Sequence, residues 1–252
     1  MNNIEIRKKE TLAILRSAES IYALMAASTR MPYVVCDPET YDDEVLLFQN
    51  EEPAKNEAQR LQKEGYPVQV LKLQNKALLG FYISLFPMGV NCMLVDKGLE
   101  TEIAIQVEEL VKKPKFAGEE KNQPPENPAL HLTAIYFMQE LRKKGNSGMT
   151  DELQELHEEM LAHFQRGKYL IAMAENQEIP LLKQADGGLF QPIFTDIHEF
   201  QKFQNANKAK TLKPLAVEVD KLPEVIAKNT SGVALNPFGV NVPLQVKRKE
   251  KQ

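Results

Sequence analysis

The chain has 252 residues, of which 43% are hydrophobic and 26% are charged, a composition typical of one large globular domain or two small ones. Its net charge is −4 and neither half is strongly basic, which argues against binding to a nucleic-acid backbone, so we expect no nucleic acid as a partner. No apolar run approaches the roughly 18 residues that a transmembrane helix needs, so we expect no membrane partner.

The N-terminal segment and the cysteines bear on the cellular compartment. Residues 1–10 contain no apolar core followed by a small-residue cleavage site, so we expect no signal peptide. Cys36 and Cys92 are too few for a disulfide scaffold, and both lie in apolar runs. We therefore expect a cytoplasmic protein in which both thiols are reduced, unpaired and part of the core.

A proline-rich stretch divides the chain into two parts. Residues 113–128 contain four prolines and few apolar side chains, a composition that favours an extended linker over a packed element. We therefore predict a first unit over residues 1–112, a linker over residues 113–128, and a second unit over residues 129–252.

The first unit is predicted to begin with a long helix that continues through Tyr22 and Met25. Apolar residues at helical spacing also indicate an additional amphipathic helix over residues 99–111. The remaining predicted helices are residues 52–64 and 75–86. The predicted strands are residues 32–36, 45–48, 68–73 and 90–95.

The second unit shows clearer signals. Apolar periodicity indicates a helix over residues 129–144 and another capped at residues 150–151, while Thr195-Asp196 can cap a third. Three short apolar runs indicate a meander of three strands with a tight turn at residues 186–188. A helix is also predicted over residues 220–228. The predicted strands are residues 169–174, 179–183, 189–194, 215–219 and 232–235.

The two units repeat one order of elements when Phe48 is set against Phe194. The first unit is shorter in its opening part, as though one strand of the meander were missing. This order favours an internal duplication, and chance agreement of common elements is the alternative. The predicted fold class is α/β (α+β), with two similar units, each a small mixed sheet packed with helices.

Three segments of the second unit carry a family resemblance: Tyr169–Ala174, the Gln191-Pro192-Ile193-Phe194-Thr195-Asp196 stretch, and the Gly232-Val233-Ala234-Leu235-Asn236-Pro237 stretch. They resemble the pattern of the SseB N-terminal domain family over roughly residues 150–245. The proline of that family's opening strand is absent, because Ile171-Ala172-Met173 stands in its place. In the first unit, Phe48-Gln49-Asn50 and Gly89-Val90-Asn91-Cys92 look like degenerate counterparts, so the resemblance implies two tandem copies.

The resemblance implies little about mechanism. The family is named after a bacterial protein linked to enhanced serine sensitivity, which implies a bacterial protein with a loose link to serine stress. It supplies no catalytic residues, and we expect neither a cofactor nor a metal.

Residues that could carry chemistry form no familiar catalytic or metal-binding motif. His157 and His163 are six residues apart, which is not the spacing with which one helix face shares a metal, so we predict surface histidines. The acidic residues within positions 37–44 lack the central glycine of a calcium loop, and we predict a solvated loop. The chain also lacks the glycine motifs that bind phosphate groups.

The candidate binding site is the edge at which strands of the second unit end. Polar groups beyond a strand end are not used in ladder pairing, and an aromatic residue that follows a proline can remain exposed. The alternative is structural, with a helix cap, a strand stop and an aromatic ring folded onto the core. The candidate residues are Phe194, Thr195, Asp196, Asn236, Pro237 and Phe238.

These observations favour a non-catalytic binding or regulatory protein of the bacterial cytoplasm, whose partner is a protein or a small-molecule ligand. The alternative is an enzyme that acts on a small metabolite at a site between the two units. The lack of a nucleophile–base pair or a metal-ligand set in the sequence counts against that enzyme.

Overall fold

The computed structural model describes residues 3–114, 123–146, 148–175, 178–183, 187–208, 211–228 and 230–248. These residues form α-helices, β-strands and a 3₁₀ turn at Val219–Lys221. The helices are α1 (Asn3–Ser17), α2 (Glu51–Lys63), α3 (Asn75–Met88), α4 (Val107–Leu110), α5 (Pro128–Leu141), α6 (Asp151–Phe164), α7 (Ile197–Ala206) and α8 (Leu222–Val225). The strands are β1 (Ser20–Ala26), β2 (Val34–Cys36), β3 (Asp43–Phe48), β4 (Val68–Gln74), β5 (Cys92–Val95), β6 (Ile103–Gln106), β7 (Lys168–Ala174), β8 (Leu182–Lys183), β9 (Leu189–Phe194), β10 (Leu212–Glu218), β11 (Gly232–Leu235) and β12 (Val242–Leu244).

The strands form two six-stranded sheets of the same topology. The first has the order β4-β1-β3-β5-β6 and the second β10-β7-β9-β11-β12. In addition, β2 pairs with β3, and β8 pairs with β9. In each sheet one central pair is parallel, β3 with β5 and β9 with β11, and the other pairs are antiparallel. The protein is therefore an α/β protein with two similar mixed sheets, as the sequence predicts.

Strand register relates the two sheets residue by residue. Tyr22 pairs with Phe48 in the first sheet, and Leu170 pairs with Phe194 in the second, so Phe48 and Phe194 are equivalent. Along the parallel pair, Cys92 occupies the position of Gly232. The first-sheet counterpart of the Gly232–Pro237 stretch thus starts at Cys92, and the proposed counterpart Gly89-Val90-Asn91-Cys92 is wrong.

Gly232 and Cys92 occupy equivalent positions, but the space around them differs. The φ of Gly232 is +154°, and a Cβ built on this residue would lie 2.1 Å from the carbonyl oxygen of Leu244, just past the end of the β11–β12 pairing. Only glycine allows this close backbone approach. In the first sheet the equivalent strands leave room for the Cys92 side chain, which is buried.

In the first unit, helices cover both faces of the sheet. Helix α2 packs through Ala54, Ala58 and Leu61 onto a cluster that includes Leu24 and Phe48. Helices α1, α3 and α4 contact one another, and the Tyr82 hydroxyl on α3 donates to the carbonyl oxygen of Leu15 at 3.1 Å. The alternation of side chains along the strands supplies apolar residues to both faces.

In the second unit, α7 covers one face of the sheet in the same way as α2. Phe200 and Phe203 of α7 pack with Leu170, Phe194 and other buried residues of the strands. The Phe194 ring lies 5.6 Å from the Phe200 ring and 5.3 Å from the Phe203 ring. These aromatic contacts join the end of β9 to the helix that follows it.

Several predicted elements differ from the structure in the first unit. The predicted long helix ends at Ser17, and Tyr22 and Met25 lie in β1. A short apolar run fits a helix and a strand equally well, and here sheet pairing decides. The helix predicted over residues 99–111 is instead β6 followed by the short α4. No strand is missing among the described residues of this unit, because β2 occupies the place of β8.

The second unit also differs from its prediction in places. The three strands do not form a simple meander, because β9 pairs with both β7 and β8. The helix predicted over residues 220–228 is reduced to the 3₁₀ turn and α8, and β12 was not predicted. The turn at residues 186–188 lies partly outside the described residues.

The division of the chain into two compact units differs from the division predicted from the proline-rich stretch. One unit comprises Met1–Lys115 and Ile135–Met149, and the other comprises Phe116–Ala134 and Thr150–Gln252. The boundary therefore falls inside α5, which the sequence assigns wholly to the second unit. Among the described residues, none of the helices combines the length and the apolar character that crossing a membrane requires.

Candidate functional site

The predicted site lies where β9 and β11 end side by side. These strands are parallel, with Leu235 opposite Ile193, so the residues that follow them meet at one edge of the sheet. The structure thus brings Thr195 and Asp196 next to Asn236. All three side chains are buried, as is Phe194 before them.

Hydrogen bonds join these strand ends to each other. The Thr195 backbone N–H donates to Asn236 Oδ1 at 3.0 Å, and Asn236 Nδ2 donates to Thr195 Oγ1 at 2.9 Å. The Thr195 hydroxyl donates to Asp196 Oδ2 at 2.6 Å. These three side chains therefore supply hydrogen-bond partners to one another, which is the condition under which buried polar side chains are stable.

Asp196 also begins α7. Its Oδ1 accepts from the backbone N–H groups of His198 at 2.8 Å and of Glu199 at 3.1 Å, the arrangement of an N-cap. The predicted cap at Thr195-Asp196 is thus confirmed, with Asp196 as the capping residue. Thr150 is likewise confirmed as the cap of α6, since its side chain accepts from the Leu153 N–H.

His131 completes the cluster from α5, and sequence reasoning missed it. Its Nδ1 lies 3.3 Å from both Asp196 Oδ2 and Thr195 Oγ1. On its other side, Nε2 lies 3.9 Å from Glu199 Oε1, whose second partner is Lys202 Nζ at 2.5 Å. Both His131 and Glu199 are buried, with side-chain exposures of 1% and 2%. The sequence signal that could have found His131 is a lone imidazole within an otherwise apolar helical stretch.

The Asp196 carboxylate stays charged in this buried place. Burial raises its pKa, but the hydrogen bond and the charge attraction of His131 act against burial, as do hydrogen bonds from Thr195 and the Glu199 backbone. The result is a pKa lowered to about 2. The cluster is thus a charged carboxylate held by several hydrogen bonds inside the second unit.

A hydroxyl, an imidazole and a carboxylate in contact invite comparison with a catalytic triad. In a triad the carboxylate and the nucleophile hydroxyl bond to opposite nitrogens of the imidazole. Here Thr195 and Asp196 both lie at Nδ1. Thr195 is 0% exposed, so a substrate does not reach its hydroxyl. The geometry supports a structural role for this cluster.

The first unit has a simpler version of the same junction. Asp96 occupies the position of Asn236: its N–H donates to the Leu47 carbonyl at 2.8 Å, as that of Asn236 donates to the Ile193 carbonyl at 2.9 Å. Asp96 accepts from the backbone N–H and the side-chain amide of Gln49, which replaces Thr195. Both Asp96 and Asn236 have positive φ, 56° and 45°.

Phe238 is the exposed member of the predicted set. It lies in a turn that starts at Asn236, whose carbonyl oxygen accepts from the N–H groups of Gly239 and Asn241. The ring is 45% exposed and its centroid lies 5.8 Å from that of Phe203. Pro237 beside it is half-buried. Of the six predicted residues, four form the buried junction, and Pro237 and Phe238 reach the surface above it.

The other sequence candidates have ordinary surroundings. His163 Nε2 lies 3.3 Å from Glu159 of the same helix. In the acidic loop, Asp37 Oδ1 accepts from the N–H groups of Glu39 and Thr40. Within the described part of the chain, no three His, Cys, Asp or Glu residues are grouped so as to hold a metal ion.

The cysteines differ from each other. Neither is in a disulfide, and Cys92 is buried, where burial raises the pKa of its thiol. Cys36 is exposed, so its assignment to the core is wrong. It is the last residue of β2, along which the side chains pass from buried (Val34) through half-buried (Val35) to exposed.

Comparisons with known proteins give little. No family model matches the sequence, and no curated protein matches it. Among solved structures, Tic22 from Plasmodium falciparum is 13% identical and the match covers 89% of this chain and 90% of that chain, with a TM-score of 0.23. Anabaena Tic22, described with the words protein transport, is 12% identical over 88% of this chain and 85% of that chain, also with a TM-score of 0.23. A TM-score this low does not establish a shared fold, and nothing about function follows from it.

Proposed function

We propose that this chain is a non-catalytic binding or regulatory protein of the bacterial cytoplasm, related to the SseB N-terminal domain family and loosely linked to serine stress. The observation that carries the binding role is the junction below Phe238. The polar side chains that the resemblance marks are buried and bonded to each other, which suits a scaffold better than a reaction centre.

The same junction supports Phe238 as the contact residue. Asn236 is fixed by its hydrogen bonds to Thr195, and the turn that begins at Asn236 presents the Phe238 ring to solvent. A partly exposed aromatic ring on a rigid turn is a common centre of a recognition surface, because little conformational entropy is lost on binding. The first unit carries Gly98 at the matching place of its turn, so the aromatic contact belongs to the second unit.

A growth experiment tests both the site and the pathway. In a bacterium that carries this gene, deletion should change growth in excess serine, and the wild-type gene should restore it. Phe238→Ala should fail to restore growth, while Leu215→Ala should succeed. Leu215 is a matched control because it is a second exposed apolar residue of the same unit, 42% exposed against 45% for Phe238.

Immunoblots and melting curves must show that both variants are present and folded to equal extents. Full restoration by Phe238→Ala would reject Phe238 as the contact. Growth that does not depend on serine in the deletion strain would reject the link to serine stress.

A further inference from the structure

Strand β4 is an outer strand of the first sheet and pairs with β1 along its whole length, from Ser20 opposite Gln74 to Ala26 opposite Val68. We propose that the other edge of β4 pairs antiparallel with β4 of a second copy, so that the chain forms a two-fold symmetric dimer. The first sheets of the two copies then become one continuous sheet.

The hydrogen-bond pattern shows which backbone groups face outward. The bonds that flank the ladder run from Asn75 N to Glu19 O and from Ala27 N to Pro67 O. Because bonded residues alternate in an antiparallel pair, the odd-numbered residues of β4 bond to β1. Val70, Lys72 and Gln74 therefore direct their N–H and C=O groups away from the sheet.

The equivalent strand of the second sheet is protected against such pairing. In β10, Pro214 pairs with Ala172, the position that Val70 holds opposite Leu24 in the first sheet. Proline has no N–H to donate, and edge strands commonly use it to prevent association. Strand β4 has the same length and the same place in its sheet but lacks this proline.

Symmetry favours a second copy as the occupant, because one antiparallel pairing satisfies the outward N–H and C=O groups of both chains. With Leu71 on the two-fold axis, Val70 of each chain bonds to Lys72 of the other, and the two Leu71 side chains meet. Shifting the centre to Lys72 would place two lysine side chains opposite each other, which is unfavourable. Leu71 is 41% exposed in the single chain, and the dimer covers it.

Other exposed or strand-face leucines lie on β4 and on the helix that follows it. Val68 and Val70 pack towards α2, so Leu71 and Leu73, which alternate with them, face the opposite side of the sheet. Helix α3 follows β4 directly, and its Leu79 is 60% exposed. Exposed leucine side chains such as these are better suited to a protein partner than to water.

The interface is small. One strand pair and a few leucines bury less than the roughly 1,200–2,000 Å² of a stable complex. The dimer should therefore form reversibly, with the dimer fraction rising with protein concentration.

Sedimentation velocity on the full chain, from micromolar to near-millimolar concentration, should show a shift from monomer to dimer. Leu71→Lys should weaken the dimer at least tenfold, because two charges then meet on the axis. The matched control is Leu215→Lys, since Leu215 pairs with Ile171 as Leu71 pairs with Ala23 and is 42% exposed. This control should leave the dimer unchanged. Val70→Pro, which copies Pro214, should also give a monomer.

Disulfide trapping tests the register independently of affinity. Residues facing each other without shared hydrogen bonds have Cα atoms roughly 4.5 Å apart, close enough for a disulfide. In a Cys36→Ser background, Leu71→Cys should form a covalent dimer on oxidation, and Leu215→Cys should not. A wild-type chain that stays monomeric at the highest concentration would overturn the proposal, as would a dimer equally weakened by both lysine variants.

Discussion

At the scale of single residues, the junction at the end of the parallel strands shows two solutions to one backbone problem. Asp96 and Asn236 both adopt the left-handed conformation directly after the strand. Asparagine and aspartate tolerate this conformation better than other side chains do. Each then uses its side chain to hold the residue that follows the neighbouring strand, Gln49 or Thr195. The junction thus tolerates different partners for one geometry.

Because Asp196 is charged in the folded protein, we expect the free energy of unfolding to fall in acid. The Asp196 pKa of about 2 lies below the usual value of 3.8, so the folded state favours the charged form. This contribution is present above pH 4 and is lost as the pH falls from about 4 to about 2. The lowering corresponds to about 2 kcal/mol. Asp196→Asn should therefore be less stable than the wild type near neutral pH, and the difference should shrink across that acidic range.

Urea unfolding at a series of pH values measures this difference. Asp220→Asn is the control, because Asp220 is exposed in the 3₁₀ turn and should change stability by less than about 0.5 kcal/mol throughout. A difference between Asp196→Asn and the wild type that stays constant from neutral pH to pH 2 would contradict the assignment.

Sequence reasoning reached part of this site. The cap at Thr195-Asp196 and the strand stop at Asn236-Pro237 follow from local preferences that neighbouring residues reveal. The contact of His131 with Thr195 and Asp196 does not follow from local preferences, because 64 positions separate His131 from Thr195. Only the fold of α5 onto the strand ends brings the imidazole there.

At the scale of elements, short strands depend on partners distant in sequence. Strand β2 has three residues and pairs on one side with β3. Its other side is completed by one side chain of α5: Gln139 Oε1 accepts from the Val34 N–H, and Gln139 Nε2 donates to the Val34 carbonyl, both at 2.9 Å. The amide group thus substitutes for the backbone of a neighbouring strand.

Gln139→Leu should therefore destabilise the protein by about 2 kcal/mol, because it leaves a buried N–H and a buried C=O of Val34 without partners. Guanidinium unfolding measures the effect. Gln154→Leu is a matched control on α6, where the amide is exposed and bonds only to Glu158 among the partners seen, and it should cost less than about 0.5 kcal/mol. Equal losses in the two variants would show that the Val34 bonds contribute nothing.

Element type was harder to predict where short apolar runs were involved. Residues 20–26 and 103–106 carry apolar spacing compatible with a helix, yet they form β1 and β6. In both cases pairing with a neighbouring strand outweighs the local preference. Helix α2, which has a clear amphipathic pattern, was predicted to within one residue at each end.

At the scale of the whole molecule, the duplication rests on strand order and pairing direction. The two sheets agree in the order of five strands, in the attachment of a sixth, and in the one parallel pair. Chance agreement of common elements does not produce this correspondence, which extends to the residues after the strands. Sequence identity between the halves is too low to reveal it, because sheet positions demand apolar character and not particular residues.

The division of α5 between the units leads to a prediction about which fragments fold. Ile135–Met149 belongs with the first unit. Besides Gln139, it supplies Tyr136, whose hydroxyl donates to Asp43 at 2.6 Å, and Glu140, which accepts from the Tyr66 hydroxyl at 2.6 Å. A chain of residues 1–149 should therefore unfold cooperatively, whereas residues 1–114 should not.

The physical reason is the amount of stabilising free energy that the shorter chain loses. Removing α5 takes away buried Ile135 and Met138 as well as the bonds to Val34. Each buried aliphatic side chain stabilises by about 2 kcal/mol, and a unit of this size has only about 5–10 kcal/mol in total. Circular dichroism during thermal unfolding separates the two chains. If residues 1–114 melt cooperatively at the same temperature as residues 1–149, the second half of α5 is dispensable, and the first unit ends before the proline-rich stretch.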